Sequence, residues 1–285
     1  MNGCFSKGVA LFLAGALTVP ATSALAAVNE SIESAVHDLY ESRFDASRQT
    51  LNVYSSIHPG DPLAYALKGA TYLFAELDKS GALKRSFLTD DRKVAKGSTA
   101  RPDPRTAEAL DEAIREARKA ARSVLVKQPN DSNALLALTI ASGVERDHLA
   151  LAEHKLRESY PFLRESQIYA IRLLKVDSTA YDAYLTKGFT EYVVAGLPFY
   201  VRWIMKVDGV SGTKDQGLND LQIAARSGQY MKPFAQLLLA MCYLREKQED
   251  KTEKLLAQLS AEYPGNPNFR AEWEKARDSL HHTGK

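Results

Sequence analysis

The sequence predicts an all-α protein built from antiparallel helix pairs, and three observations carry that prediction. Apolar residues recur at helical spacing in one run after another. Turns of one kind close several of these runs, at His58-Pro59-Gly60-Asp61-Pro62, Gln128-Pro129-Asn130-Asp131 and Tyr263-Pro264-Gly265-Asn266-Pro267. The string AYxxKG occurs twice, at residues 64–69 and 183–188. Proline cannot donate to a helical ladder and glycine accepts the capping conformation, so each turn stops a helix and sends the chain back. With 285 residues, 45% hydrophobic and 25% charged, the chain is ordinary globular material, and a repeat array of this length can form one stack.

The first 26 residues differ from the rest. Lys7 follows a short polar start, residues 9–19 are apolar, and Ala24-Leu25-Ala26 offers the small residues of a cleavage site. This pattern predicts a secretory signal, too short to span a bilayer as a helix. Cys4 precedes the apolar core instead of following it, which argues against a lipid-modified cysteine. Cleavage would remove Lys7, leaving 36 of the 37 basic residues against 35 acidic ones. Such a balance argues against nucleic acid as the partner, which needs a concentrated basic surface. Cleavage would also leave Cys242 as the sole cysteine, expected to be a buried structural thiol inside an apolar helix. No later run is long enough to serve as a transmembrane anchor, so the expected location is exported and periplasmic.

Residues 29–57 read as a first helix pair, with Ile32, Val36, Leu39 and Tyr40 on one face and Phe44, Leu51, Val53 and Tyr54 following the turn. The next helix runs from the first AYxxKG copy through Tyr72 and Phe74. Asp103 as N-cap and Pro104 at the first position predict a long helix. It buries Leu110, Ala113, Ile114, Ala117, Ala121 and Val124, with Asp111 and Arg115 as an outer i,i+4 pair. The helix from Asn133 to Val144 is apolar nearly all round and should be central. Residues 146–160 extend it, Pro161 opens a further helix, and Val176-Asp177-Ser178 replaces the proline turn. The second AYxxKG copy continues through Phe189 and Tyr192.

Pro233 to Pro267 forms the clearest pair, with Leu237, Leu238, Met241 and Leu244 on one helix and Leu255, Leu256 and Leu259 on the other. A final helix from Asn268 to Leu280 has a charged outer surface, and residues 281–285 read as a disordered tail. Two insertions, 78–103 and 196–216, interrupt the period. The first reads as a partly ordered loop, the second as holding a short apolar helix.

These helix pairs, with Tyr243 and Pro264 in place of the expected aromatic and proline, resemble tetratricopeptide (TPR) units, whose period is about 34 residues. From residue 29 to 280 the chain is similar to a divergent TPR array of four to five units, and its latter part resembles exported bacterial TPR proteins of unassigned function. The resemblance implies a right-handed superhelix whose first helices line a partner-binding groove. It also places glycine, here Gly69 and Gly188, where the two helices of a unit approach closely. Counted from Pro62, Ser132, Tyr181 and Pro233, the groove positions are Leu63, Ala66 and Ala70; Asn133, Leu136 and Ile140; Asp182, Leu185 and Phe189; and Phe234, Leu237 and Met241. Only Asn133 fits the set that clamps a terminal carboxylate.

Phe74, Asn133, Ile140, Asp182, Phe189, Tyr192, Met241 and Arg245 are therefore the candidate partner-binding residues. An apolar groove is not left open to water. The insertions are expected to fold back into it, with Phe199, Tyr200, Trp203 and Ile204 as plug residues, unless an apolar ligand or partner helix fills it. Residues 199–207 could alternatively rest on a membrane as a weak peripheral anchor, Trp203 and Tyr200 at the headgroups and Arg202 and Lys206 on phosphates.

Catalytic and metal signals are weak. The histidines are His37, His58, His148, His154, His281 and His282. Glu145-Arg146-Asp147-His148 matches half of a di-iron bundle motif, but such a site needs a second copy and two further glutamates. Residues 209–214 lack phosphate-loop spacing, and Ser211 or Thr213 reads better as an N-cap. No cofactor, metal or catalytic residue is expected. The predicted role is a non-enzymatic scaffold for a protein or peptide in the cell envelope. A binder of an apolar small molecule or lipid is the second reading.

Overall fold

The structure is a computed structural model, and it describes residues 32–84, 102–196 and 212–283. Among these residues every regular element is helical. In chain order they are α1 (32–40), α2 (Phe44–Ile57), α3 (Pro62–Ser80), α4 (Pro104–Lys127), α5 (Ser132–Asp147), α6 (Leu156–Val176), α7 (Ala183–Gly196), α8 (Lys214–Ser227), α9 (Lys232–Arg245), α10 (Glu249–Glu262) and α11 (Pro267–Thr283). A single π-helical turn, His148–Ala152, follows α5. Consecutive helices pair as five hairpins, α1–α2 through α9–α10, and α11 closes the stack. No helix among the described residues is long and apolar enough to cross a membrane.

Local chemistry sets the ends of these helices. Asp61, Asp103 and Asp131 cap α3, α4 and α5 through their carboxylates, and Pro62 and Pro104 occupy first positions where no N–H is needed. Thr213 and Gln216 form a capping box that starts α8, so the second insertion ends earlier than residue 216. The turns inside α1–α2 and α9–α10 are built alike. Ser42 (φ 60°) and Lys247 (φ 58°) take the left-handed conformation. The following N–H, of Arg43 or Gln248, reaches back to Asp38 or Tyr243, which is a Schellman closure.

The two AYxxKG copies hold equivalent places, each on the first helix of a hairpin. A Cβ on Gly69 would lie 2.7 Å from Ile114 Cδ1 of α4. On Gly188 it would lie 2.7 Å from the Gly217 carbonyl of α8, and on Gly217 2.6 Å from the Gly188 carbonyl. At the α7–α8 crossing, then, backbone meets backbone, and only a hydrogen atom fits between.

Several sequence expectations are corrected. Val53 is exposed, because it lies across the helix from the buried Leu51, Tyr54 and Ser55. Val124 is only half-buried. Arg115 pairs with Glu112 one turn back, not with Asp111. Pro161 sits inside α6, whose first turn begins at Leu156, and does not open the helix. The turn from Tyr263 does stop its helix as expected, at Glu262, but the final helix starts at Pro267 and not at Asn268. That last helix runs to Thr283 and takes in part of the expected tail. The first insertion begins later than residue 78, since α3 reaches Ser80.

The ends of the stack meet. Asn266 donates to the Tyr40 carbonyl at 2.8 Å, Tyr263 packs on His37 and Tyr40, and Asn268 bonds Asp78. Gly265 has the Glu41 carboxylate directly against it. One core cluster accordingly runs from Ile32 to Ala276.

Two glycines separate packing from propensity. Gly188→Ala should lower the unfolding free energy by about 3 kcal/mol, because backbone cannot give way. Gly143→Ala in α5, where a Cβ meets nothing within 4 Å, should raise it by about 1 kcal/mol. Urea denaturation of both variants measures the contrast.

Candidate functional site

The first helices of successive hairpins, α3, α5, α7 and α9, face one another across the inside of the stack. Their groove positions are mostly buried. Phe74 of α3, 6% exposed, lies edge-on to Phe234 of α9 with ring centroids 5.0 Å apart, and to Tyr40 of α1 at 5.8 Å. Tyr40 also reaches the Met231 sulfur. The inner face is thus closed, among the described residues, by direct helix-to-helix packing with α1 drawn in. The expected plug residues Phe199, Tyr200, Trp203 and Ile204 lie outside the described residues.

A narrow cleft remains. Phe74, Ile140, Val144, Leu185, Phe189, Phe234 and Leu238 supply its apolar walls, and Thr186, Asp182 and the Arg146–Asp147 pair its polar rim. Its free volume holds only a few water molecules. Arg146 and Asp147 form two bonds of 2.7 Å, and although burial opposes the guanidinium charge, Asp147 holds it more firmly ionised. Gly143 lines the same wall. Neither packing nor backbone conformation requires glycine there, and its small size keeps the cleft open.

The candidate residues divide between cleft and framework. Phe74, Ile140, Asp182 and Phe189 converge on the cleft. Asp182, 6% exposed, is also a structural acceptor: its carboxylate takes the N–H groups of Tyr230 and Met231 at 3.1 and 2.9 Å, fixing the approach to α9. Burial raises its pKa, and those N–H groups partly offset the rise. The Asn133 amide donates to Asp61 at 2.8 Å, beside the Tyr54 hydroxyl on the same carboxylate. Tyr192 gives its hydroxyl to Glu246, which Lys214 also holds at 2.6 Å. Met241 is buried in the core, and Arg245 is exposed at the end of α9. Cys242 is buried, and burial pushes its thiol up to about 12, so it stays protonated at neutral pH.

The Glu145–His148 half-motif is pulled apart by its neighbours. Glu145 meets Arg118 at 2.9 Å, and Arg118 also holds Glu165, joining α4, α5 and α6. His148, 3% exposed in the π-turn, lies 3.5 Å from both Glu76 of α3 and Glu153. No group of three ligating side chains suited to a metal occurs among the described residues.

Sequence reasoning overlooked Arg146, Asp147 and Gly143. Their signal was the continuation of the Ile140 face, at three, six and seven residues on.

The fold, among the described residues, is a stack of packed neighbouring helix pairs, an all-helical arrangement consistent with a helical repeat. No family model matches the chain, and no curated protein matches it.

Burial opposes a charge on His148, but Glu76, Glu153 and Asp111 outweigh it and raise its pKa above the ordinary value. The stabilisation is fully present below the unfolded pKa of about 6.5 and is lost as pH rises through the higher folded value. Between those limits the thermal midpoint of the wild type should fall with rising pH more steeply than that of His148→Gln. Scanning calorimetry across a pH series reads the difference.

Proposed function

We infer that the chain is an exported, non-enzymatic, TPR-like scaffold of right-handed twist whose inner cleft takes an apolar side chain of a protein or peptide in the cell envelope. The hairpin stack, the equivalent placement of the two AYxxKG copies and the proline turns support the TPR reading, and the leader-like residues 1–26 support export. The observation that carries the binding reading is Gly143. A glycine that no contact demands keeps open a cleft with an ion pair on its rim and Phe189 at its side. The few waters' worth of space suits one side chain, whereas a whole lipid or other apolar small molecule would require the inner helices to separate.

Gly143→Phe should fill the cleft and leave the fold intact, since the added side chain starts in open space. Partners from an envelope fraction that are retained by the wild type should be released by this variant. Equal retention by both, with unchanged circular dichroism, removes the cleft from the binding reading. Amino-terminal sequencing of protein recovered from the exporting cell tests cleavage after residue 26.

A further inference from the structure

The outer layer of the stack carries a local excess of positive charge. The chain is nearly neutral, at +2, yet residues 117–127 of α4 and 166–176 of α6 contain no acidic side chain. They hold Arg118, Lys119, Arg122, Lys127, Arg172 and Lys175. Both segments pack on α5, and long side chains bridge from one to the other. Arg118 stacks on Phe162 of α6 at 5.6 Å, Leu125 and Tyr169 pack on the same cluster of Ala121, Ala134 and Leu138, and Arg172 donates to the Pro129 carbonyl just beyond α4. Glu165, the nearest carboxylate in α6, is held by Arg118 and Ser142.

Large aliphatic side chains stand among these cations. Val126 is 83% exposed, Ile168 51% and Val176 40%. Lysines in the last helical turns complement the helix dipole, which accounts for Lys127 and Lys175. It does not account for exposed valine and isoleucine beside them. The inner cleft draws no residue from α4 or α6, so a ligand on this face would bind without that groove. A plane of anionic headgroups needs none. Clustered Lys and Arg on a helical surface flanking apolar residues is the arrangement that binds such a plane.

We propose that the outer face of α4 and α6 docks on an anionic lipid surface. Arg122, Lys127 and Lys175 meet headgroup phosphates, and Val126, Ile168 and Val176 enter the acyl boundary. This surface is separate from the inner cleft and independent of its role.

Co-sedimentation of the full chain with phosphatidylcholine vesicles, with and without phosphatidylglycerol, tests the proposal. The wild type should pellet with the anionic vesicles at low salt and be released at high salt. The triple variant Arg122→Glu, Lys127→Glu, Lys175→Glu should lose affinity by at least about 100-fold. The control triple Arg226→Glu, Lys251→Glu, Lys254→Glu, with the same change in net charge elsewhere, should keep most of it. Unchanged circular dichroism establishes that both variants fold. Binding that survives the first triple, or falls equally in both, overturns the proposal. So does a wild type that ignores the vesicles, or one that binds polyglutamate and not lipid.

Discussion

The structure depends on inner helices that have only one another to cover them. Phe74 against Phe234, with Tyr40 wedged beside both, removes aromatic surface that α3, α9 and α1 would each otherwise expose. Burying a large apolar side chain is worth about 1.5–3 kcal/mol, so a groove with eight such side chains among its twelve positions closes when geometry permits. Here it does, because the last turn reaches back to the first helix through Asn266 and Tyr263. A stack whose contacts would otherwise run only between neighbours gains contacts between its ends.

That closure separates framework from function. Most groove positions become core, and a narrow cleft remains among the described residues along the inner wall around Gly143, Phe189 and the Arg146–Asp147 pair. Polar residues at the groove's edges are largely engaged: Asp182 by backbone N–H groups, Asn133 by Asp61, Tyr192 by Glu246. The outer helices have a different character. Their inward faces are tied by Arg118 to Glu145 and Glu165, and their outward faces carry charge and scattered aliphatics.

Much of the fold was legible because its determinants are local. Aspartates before Pro62 and Pro104 mark helix starts by chemistry that acts over two or three residues, and Thr213 with Gln216 does the same. The glycines of AYxxKG announced close helix approach, and Gly69 and Gly188 provide it. Pro161 misled because proline is tolerated near a helix start, and sequence alone does not say how many turns precede it. Val53 misled because one apolar residue adjoining a helical face has no partner that spacing can reveal. The half-motif at Glu145 and His148 was set aside for want of a second copy, and spacing could not show that Arg118 and Glu76 engage its two ends from different helices.

By itself the sequence determined that this chain forms paired helices, where most of them begin and end, and that two of the hairpins are copies of one pattern. Those properties follow from helical periodicity and from backbone groups that must be capped within a few residues. Only the tertiary structure decided that the inner face closes, that α1 joins it, and that Gly143 stands in open space while Gly188 stands in none. Such facts rest on contacts between residues up to 226 positions apart, and no local rule encodes which distant surfaces will meet.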